Sequence, residues 1–171
     1  MIDRLLLVVL CLMMVGLGAR AQFNQGGAGA GIGVGAVLSN GAPSNPTANA
    51  TVTPLMMGLG TTCKITPAFS TRVLFQIQGN ILNATAGNGS ITALRTGTGT
   101  APANGAAVTG TQQTAVTTHV SSGANTQTEF NHVSIVSGLT AGTAYWFDMQ
   151  LASSAATAAS ITSITCQAAE L

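Results

Sequence analysis

The groups able to do chemistry in this chain are few. His119 and His132 are the only histidines, Glu129 and Asp148 are the acids well inside the chain, and serine hydroxyls are abundant. A Ser/His/Asp relay tolerates any sequence order, yet no nucleophile-elbow motif supports one, and neither histidine has an acid placed to orient it. Glu129 and His132 are close enough in sequence to converge on a metal, but two ligands do not make a site. Carboxylates paired for acid/base work are missing, because Glu129 and Asp148 belong to different strands. Gly31-Ile32-Gly33-Val34-Gly35-Ala36 matches the dinucleotide pattern G-x-G-x-x-A, without the preceding strand, following helix and acid about 20 residues on that give the pattern meaning. The reading is a non-catalytic protein with no metal and no cofactor.

Composition narrows the partners. Of 171 residues only 5% are charged, and the net charge is +1, against a usual charged share of about 25%. After the first 21 residues the cations are Lys64, Arg72 and Arg95, too few for a phosphate-binding stripe, which excludes nucleic acid. A polar, uncharged surface suits packed copies of one chain, since contacts between them bury no charge.

The elements that would position these groups alternate with the period of a strand. Residues 133–151 read as a strand, a Gly-Leu-Thr-Ala-Gly-Thr corner and a second strand. In that second strand Tyr145, Phe147, Met149 and Leu151 share a core face, and Trp146, Asp148 and Gln150 share the other. Gly138 and Gly142 supply the positive φ of a tight corner. Further strands are expected at 63–67, 72–81, 90–96, 106–109, 115–120, 128–136, 144–152 and 160–168, with Val73, Phe75 and Ile77 on one face. Ile161 and Ile164 break the alternation of the last strand, which implies a bulge. Seven or eight short strands separated by turns predict an all-β fold, an antiparallel β-sandwich over residues 63–171.

The start of the chain has a different character. Residues 1–21 have the parts of a secretory signal, a short helix-like segment with Arg4, an apolar run over 5–17 and the small-x-small site Ala19-Arg20-Ala21. The run falls short of the roughly 20 residues of a membrane span, so cleavage, with no stable span afterwards, is expected over a retained anchor. Residues 22–62 form a Gly/Pro/Asn-rich extended arm, in which apolar residues spaced by glycine suit ordering against a neighbouring copy, or a plain linker. Loss of the leader removes Cys11 and leaves Cys63 and Cys166 as an even pair in an oxidising compartment. A disulfide between them is the expectation, and two separate buried thiols the alternative. Trp146, opposite the core face, is the candidate partner or ligand contact, the alternative being a loop of the same chain that covers it.

Pro54-Leu55-Met56-Met57, Cys63-Lys64-Ile65-Thr66-Pro67, Gly97-Thr98-Gly99-Thr100-Ala101-Pro102-Ala103-Asn104-Gly105, the corner Gly138-Leu139-Thr140-Ala141-Gly142-Thr143-Ala144-Tyr145-Trp146-Phe147-Asp148 and the ending Ile164-Thr165-Cys166 carry a resemblance. Over residues 54–171 the chain resembles jelly-roll modules of poorly characterised bacterial and bacteriophage structural proteins. The resemblance implies a jelly roll in a fibre or surface setting and no reaction, although a secretory leader departs from what a virion component needs. The corner is also similar to that of fibronectin type III domains, whose topology is the second expectation. The functional expectation is an exported structural module, secreted or at the cell surface (a virion being the alternative), that self-associates as a trimer or filament and presents a surface. A glycan- or surface-binding module of a fibre or virion is the alternative.

Overall fold

The computed structural model describes residues 37–171, so the leader and the glycine-alternating part of the arm lie outside the described residues. Ten strands build two antiparallel sheets. They are β1 (Leu38–Gly41), β2 (Leu55–Met56), β3 (Lys64–Ile65), β4 (Val73–Asn83), β5 (Gly89–Thr98), β6 (Thr111–Gln112), β7 (Thr117–Val120), β8 (Thr128–Val136), β9 (Tyr145–Ser153) and β10 (Ala159–Glu170). The four-stranded sheet has the order β1-β10-β4-β8. In the other sheet β9 is flanked by β2 and β3 on one side and by β5 on the other, and β5 in turn pairs with β6 and β7. Among the described residues no helix is long and apolar enough to cross a membrane.

Period-two alternation fills the space between the sheets. Val73, Phe75, Ile77 and Ile81 of β4 meet Phe147, Met149 and Leu151 of β9 in one core, all at most 1% exposed. The rings of Phe75 and Phe147 lie 5.1 Å apart at 54°, tilted as aromatic quadrupoles favour. Burying each such side chain contributes about 1.5–3 kcal/mol. The expected bulge is present: the β10–β4 register shifts between Thr162 and Thr165, and Ser163 takes φ 51°. The extra residue turns both Ile161 and Ile164 inward. Gly79 faces the bulge, where a Cβ would stand 2.7 Å from the Thr162 carbonyl oxygen.

The corner also forms as the alternation implied. It carries the chain from β8 in one sheet to β9 in the other, with Gly138 at φ 78° and Gly142 at φ 79°. Leu139 plugs the core, and the Tyr145 hydroxyl accepts a hydrogen bond from the Thr140 N–H at 2.9 Å. At the opposite end Asn83 ties two crossovers together. Its fully buried amide donates to the Gly89 carbonyl and the Ser153 hydroxyl and accepts from the Thr85 N–H and the Thr157 hydroxyl. Asn49 and Asn83 both begin Asn-x-Thr sequons, and both spend their amides inside the fold.

Three expectations need correction. The sandwich does not begin at residue 63, because residues 37–62 of the expected arm are built into it. β1 pairs with β10, β2 pairs with β9, and Met56, Met57 and Leu59 are buried. This segment lacks a period because only short ladders and single bridges hold it, joined by side chains: the Asn49 Nδ2 donates to the Thr53 and Leu151 carbonyls. The strand expected at 106–109 shrinks to an isolated bridge between Leu55 and Ala107. The strand expected at 63–67 shrinks to Lys64–Ile65.

Cys63 and Cys166 form a disulfide with Cα atoms 5.8 Å apart, across 103 residues of chain. It joins the start of β3 in one sheet to β10 in the other, so it crosses the sandwich rather than linking neighbouring strands. A closed loop of about 100 residues corresponds to roughly 4–5 kcal/mol of lost chain entropy in the unfolded state. The double variant Cys63→Ser, Cys166→Ser is therefore expected to lose about 4 kcal/mol. With a urea slope of about 1.5–2 kcal/mol/M, the midpoint of equilibrium unfolding falls by about 2–3 M. A shift below about 0.5 M would contradict this role.

Candidate functional site

His132, Asp148 and Glu170 are engaged in holding the fold, while the His119 Nε2 is buried without a hydrogen-bond partner among the described residues. His132 points inward from β8, its Nε2 2.9 Å from the Thr92 hydroxyl and its Nδ1 3.0 Å from the Thr114 hydroxyl. Burial, and then the neighbouring His119, lower its pKa to about 4, so the ring is neutral. Burial lowers His119 as well. Glu129 stands on the outer side of the same strand, exposed, so alternation sends Glu129 and His132 to opposite faces and they do not converge. Among the described residues no group of three or more His, Cys, Asp or Glu side chains could hold a metal.

Asp148 and Glu170 are anchors for backbone. The Asp148 carboxylate accepts from the N–H groups of Gly58, Leu59 and Met149 at 3.0, 3.0 and 2.7 Å, and so pins the turn at Leu59–Thr61 against β9. Burial pushes its pKa up to about 6 against the pull of those N–H groups. Glu170, 1% exposed at the end of β10, accepts from three successive N–H groups, those of Ala68, Phe69 and Ser70 at 2.7–2.9 Å. Its second oxygen accepts from the Val37 N–H at 2.6 Å. Burial raises its pKa, but this nest of backbone donors outweighs it and brings the value down to about 2. Glu170 had no role assigned from the sequence. The signal was present in the alternation Cys166, Ala168, Glu170, which puts the carboxylate on the inward face.

Trp146 does lie opposite the core face, as alternation required, but it is not exposed. It is 5% accessible, and its Nε1 donates to the Thr98 carbonyl at 3.1 Å. Gly97 and Gly110 leave the space its ring occupies, since a Cβ on either would collide with the indole. A loop of the same chain covers it, and what remains is one wall of a pocket of about 260 Å³ shared with Lys64, Ala101 and Tyr145. Among the described residues the aromatic that does face solvent is Phe69, 73% exposed. It rides on the loop that Glu170 holds rigid.

The outer face of the four-stranded sheet has two characters. At the Glu170 end, register aligns Leu38, Ala169, Leu74 and Ile135 in one row across all four strands, with Leu38 64% and Ile135 51% exposed. The next row is Asn40, Gln167, Gln76 and Val133. Beyond it, at the bulge, a groove of about 570 Å³ is lined by Gln78, Asn80, Glu129, Asn131, Ser163 and Thr165. β8 ends the sheet, and among the described residues no strand pairs with its far side. No family model and no curated protein matches the chain.

The buried titrating groups set the pH dependence of stability. Stability from Glu170 is fully present above pH 4.5 and is lost as pH falls towards about 2. The neutral His132 ring contributes above pH 6.5, and its share is lost as pH falls through about 4. Asp148 runs the other way: its share is present below pH 3.8 and lost as pH rises through about 6. His132 and Asp148 oppose each other between about pH 4 and 6.5. Thermal melts are therefore expected to give a nearly flat Tm from pH 7 to 5 and a fall below pH 4.5. In Asp148→Asn the decline is expected to begin near pH 6.5, where His132 acts unopposed. An unchanged profile in that variant would contradict the assignment.

Proposed function

We infer that this chain is a non-catalytic structural module that self-associates through the outer face and open edge of its four-stranded sheet. The carrying observation is β8 itself. It is a nine-residue strand at the sheet's edge, and it has no proline or lysine and a single charged residue, Glu129. Val133 and Ile135 project from it, 46% and 51% exposed. Natural sheets blunt their edges with charge, proline or a covering segment, because bare N–H and C=O groups template pairing with another chain. The occupant that fits is a second copy. A face carrying one charge meets its own image with almost no repulsion, and the row from Leu38 to Ile135 buries apolar surface when two such faces meet. Phe69, held out at the same end, adds an aromatic of the kind that anchors interfaces.

The non-catalytic part of the reading is supported by how the reactive groups are spent, with His132 between two hydroxyls and both buried carboxylates bonded to backbone. The jelly-roll assignment is supported by nested pairing. Consecutive strands β4 and β5 lie in opposite sheets and pair with β10 and β9, consecutive in reverse order. Export to an oxidising compartment agrees with the disulfide. A second reading, a glycan- or surface-binding module of a fibre or virion, is favoured by the polar groove at the bulge.

Val133→Lys, Ile135→Lys tests the assembly on a solvent-facing strand side that leaves the core intact. Sedimentation velocity over a hundredfold concentration range is expected to show wild-type protein as an oligomer and the variant as a monomer with an unchanged melting curve. A monomeric wild type, or a variant that still assembles, would contradict the reading.

A further inference from the structure

The geometry points to the groove at the β10 bulge as a binding site for a neutral glycan. This deepens the second reading above and lies away from the apolar end of the same face used in self-association, sharing with that proposal only the outward Glu129 and Asn131 side chains of β8. Two register rows frame the site: Thr165, Gln78 and Asn131 lie side by side across β10, β4 and β8, and Asn80 and Glu129 line it from the next row. The bulge brings Ser163 into the lining between them. Bulges commonly re-aim side chains at functional sites, and a non-glycine residue at positive φ in a strand is a strained feature of the same kind.

The amides of the groove are oriented before any ligand arrives. Gln76, one row away, donates its Nε2 to both the Gln78 Oε1 and the Asn131 Oδ1 at 3.1 Å. These bonds fix the positions of both oxygens and leave the NH2 groups of Gln78 and Asn131 as free donors. Asn80 is fixed in the opposite sense, its Nδ2 donating to the Gln127 Oε1 at 3.1 Å, which leaves its oxygen as an acceptor. The groove thus presents two amide donors, an amide acceptor, the Glu129 carboxylate and two hydroxyls that can do either. Such a mixture matches the vicinal hydroxyls of a sugar, each of which donates and accepts. Its volume of about 570 Å³ lies within the roughly 300–1,000 Å³ usual for ligand sites.

Charge selects the class. Glu129 is the only charged side chain lining the groove, and none of the domain's cations lines it. A sulfated or phosphorylated ligand would meet a carboxylate with no cation to offset it, so the site favours uncharged saccharides over acidic ones.

The test is titration calorimetry of the exported protein with cellohexaose, maltohexaose and chitohexaose, and with a heparin hexasaccharide as the anionic probe. Binding of at least one neutral hexasaccharide is expected, with no heat from the heparin fragment. Gln78→Ala, Asn131→Ala is expected to weaken that binding at least tenfold, and Thr165→Arg, which fills the groove from β10, to abolish it. Oligomer mass and melting curve should match wild type in both variants, so loss of the groove is distinguishable from loss of assembly. No binding of any of the three neutral sugars, preference for the heparin fragment, or undiminished binding in the double variant would overturn the proposal.

Discussion

The carboxylate of Glu170 is the contact on which most of the molecule's order at one end depends. It sits at the end of β10, next to the centre of the four-stranded sheet, and holds the loop over Ala68, Phe69 and Ser70 with one oxygen and the start of β1 with the other. The same inward row of β10 carries Cys166, bonded to Cys63 of the facing sheet. One strand therefore ties the first strand of its own sheet, the entry to β4 and the opposite sheet. Charge-assisted hydrogen bonds of this kind are about twice as strong as neutral ones. Loss of the carboxylate would release four part-buried backbone donors at once, freeing the loop and the start of β1 together.

The scarcity of charge makes this arrangement consequential. The described domain has three acids, and two of them, Asp148 and Glu170, are buried and organise backbone. What is left for the outside of the four-stranded sheet is amide, hydroxyl and apolar surface with Glu129 alone. Such a face has little to deter pairing with another copy. Its uncharged amides are also free to be arranged in rows, and the bulge turns the rows into a groove. The proposed assembly and the proposed ligand recognition thus share one cause in the composition, although they centre on different parts of the face.

Much of this was legible in the chain. The corner and β9 alternate so regularly that the core face of β9 and the turn before it could be assigned from residues alone, whereas β8 turns Val133 and Ile135 outward and His132 inward, which its residue types do not signal. The broken alternation of Ile161 and Ile164 announced the bulge, and the cysteine count announced the disulfide. Residues 37–62 were not legible, since buried methionines, an asparagine amide and the Asp148 carboxylate hold them without any repeating pattern. Trp146 was placed on the correct face, but its cover depends on Gly97 and Gly110 coming together in space, which spacing does not reveal. The groove was equally hidden. Its residues come from three strands far apart in sequence, and only the register sets them side by side.

The most direct test of self-association through the β8 edge is amide hydrogen exchange of the full chain at low and high protein concentration. The outward amides of β8, unpaired within one copy, are expected to exchange rapidly in dilute solution and to become protected as concentration rises. Amides paired between β4 and β10 should change little. Rapid exchange along β8 at every concentration, in protein that sediments as an oligomer, would place the interface elsewhere and contradict the account.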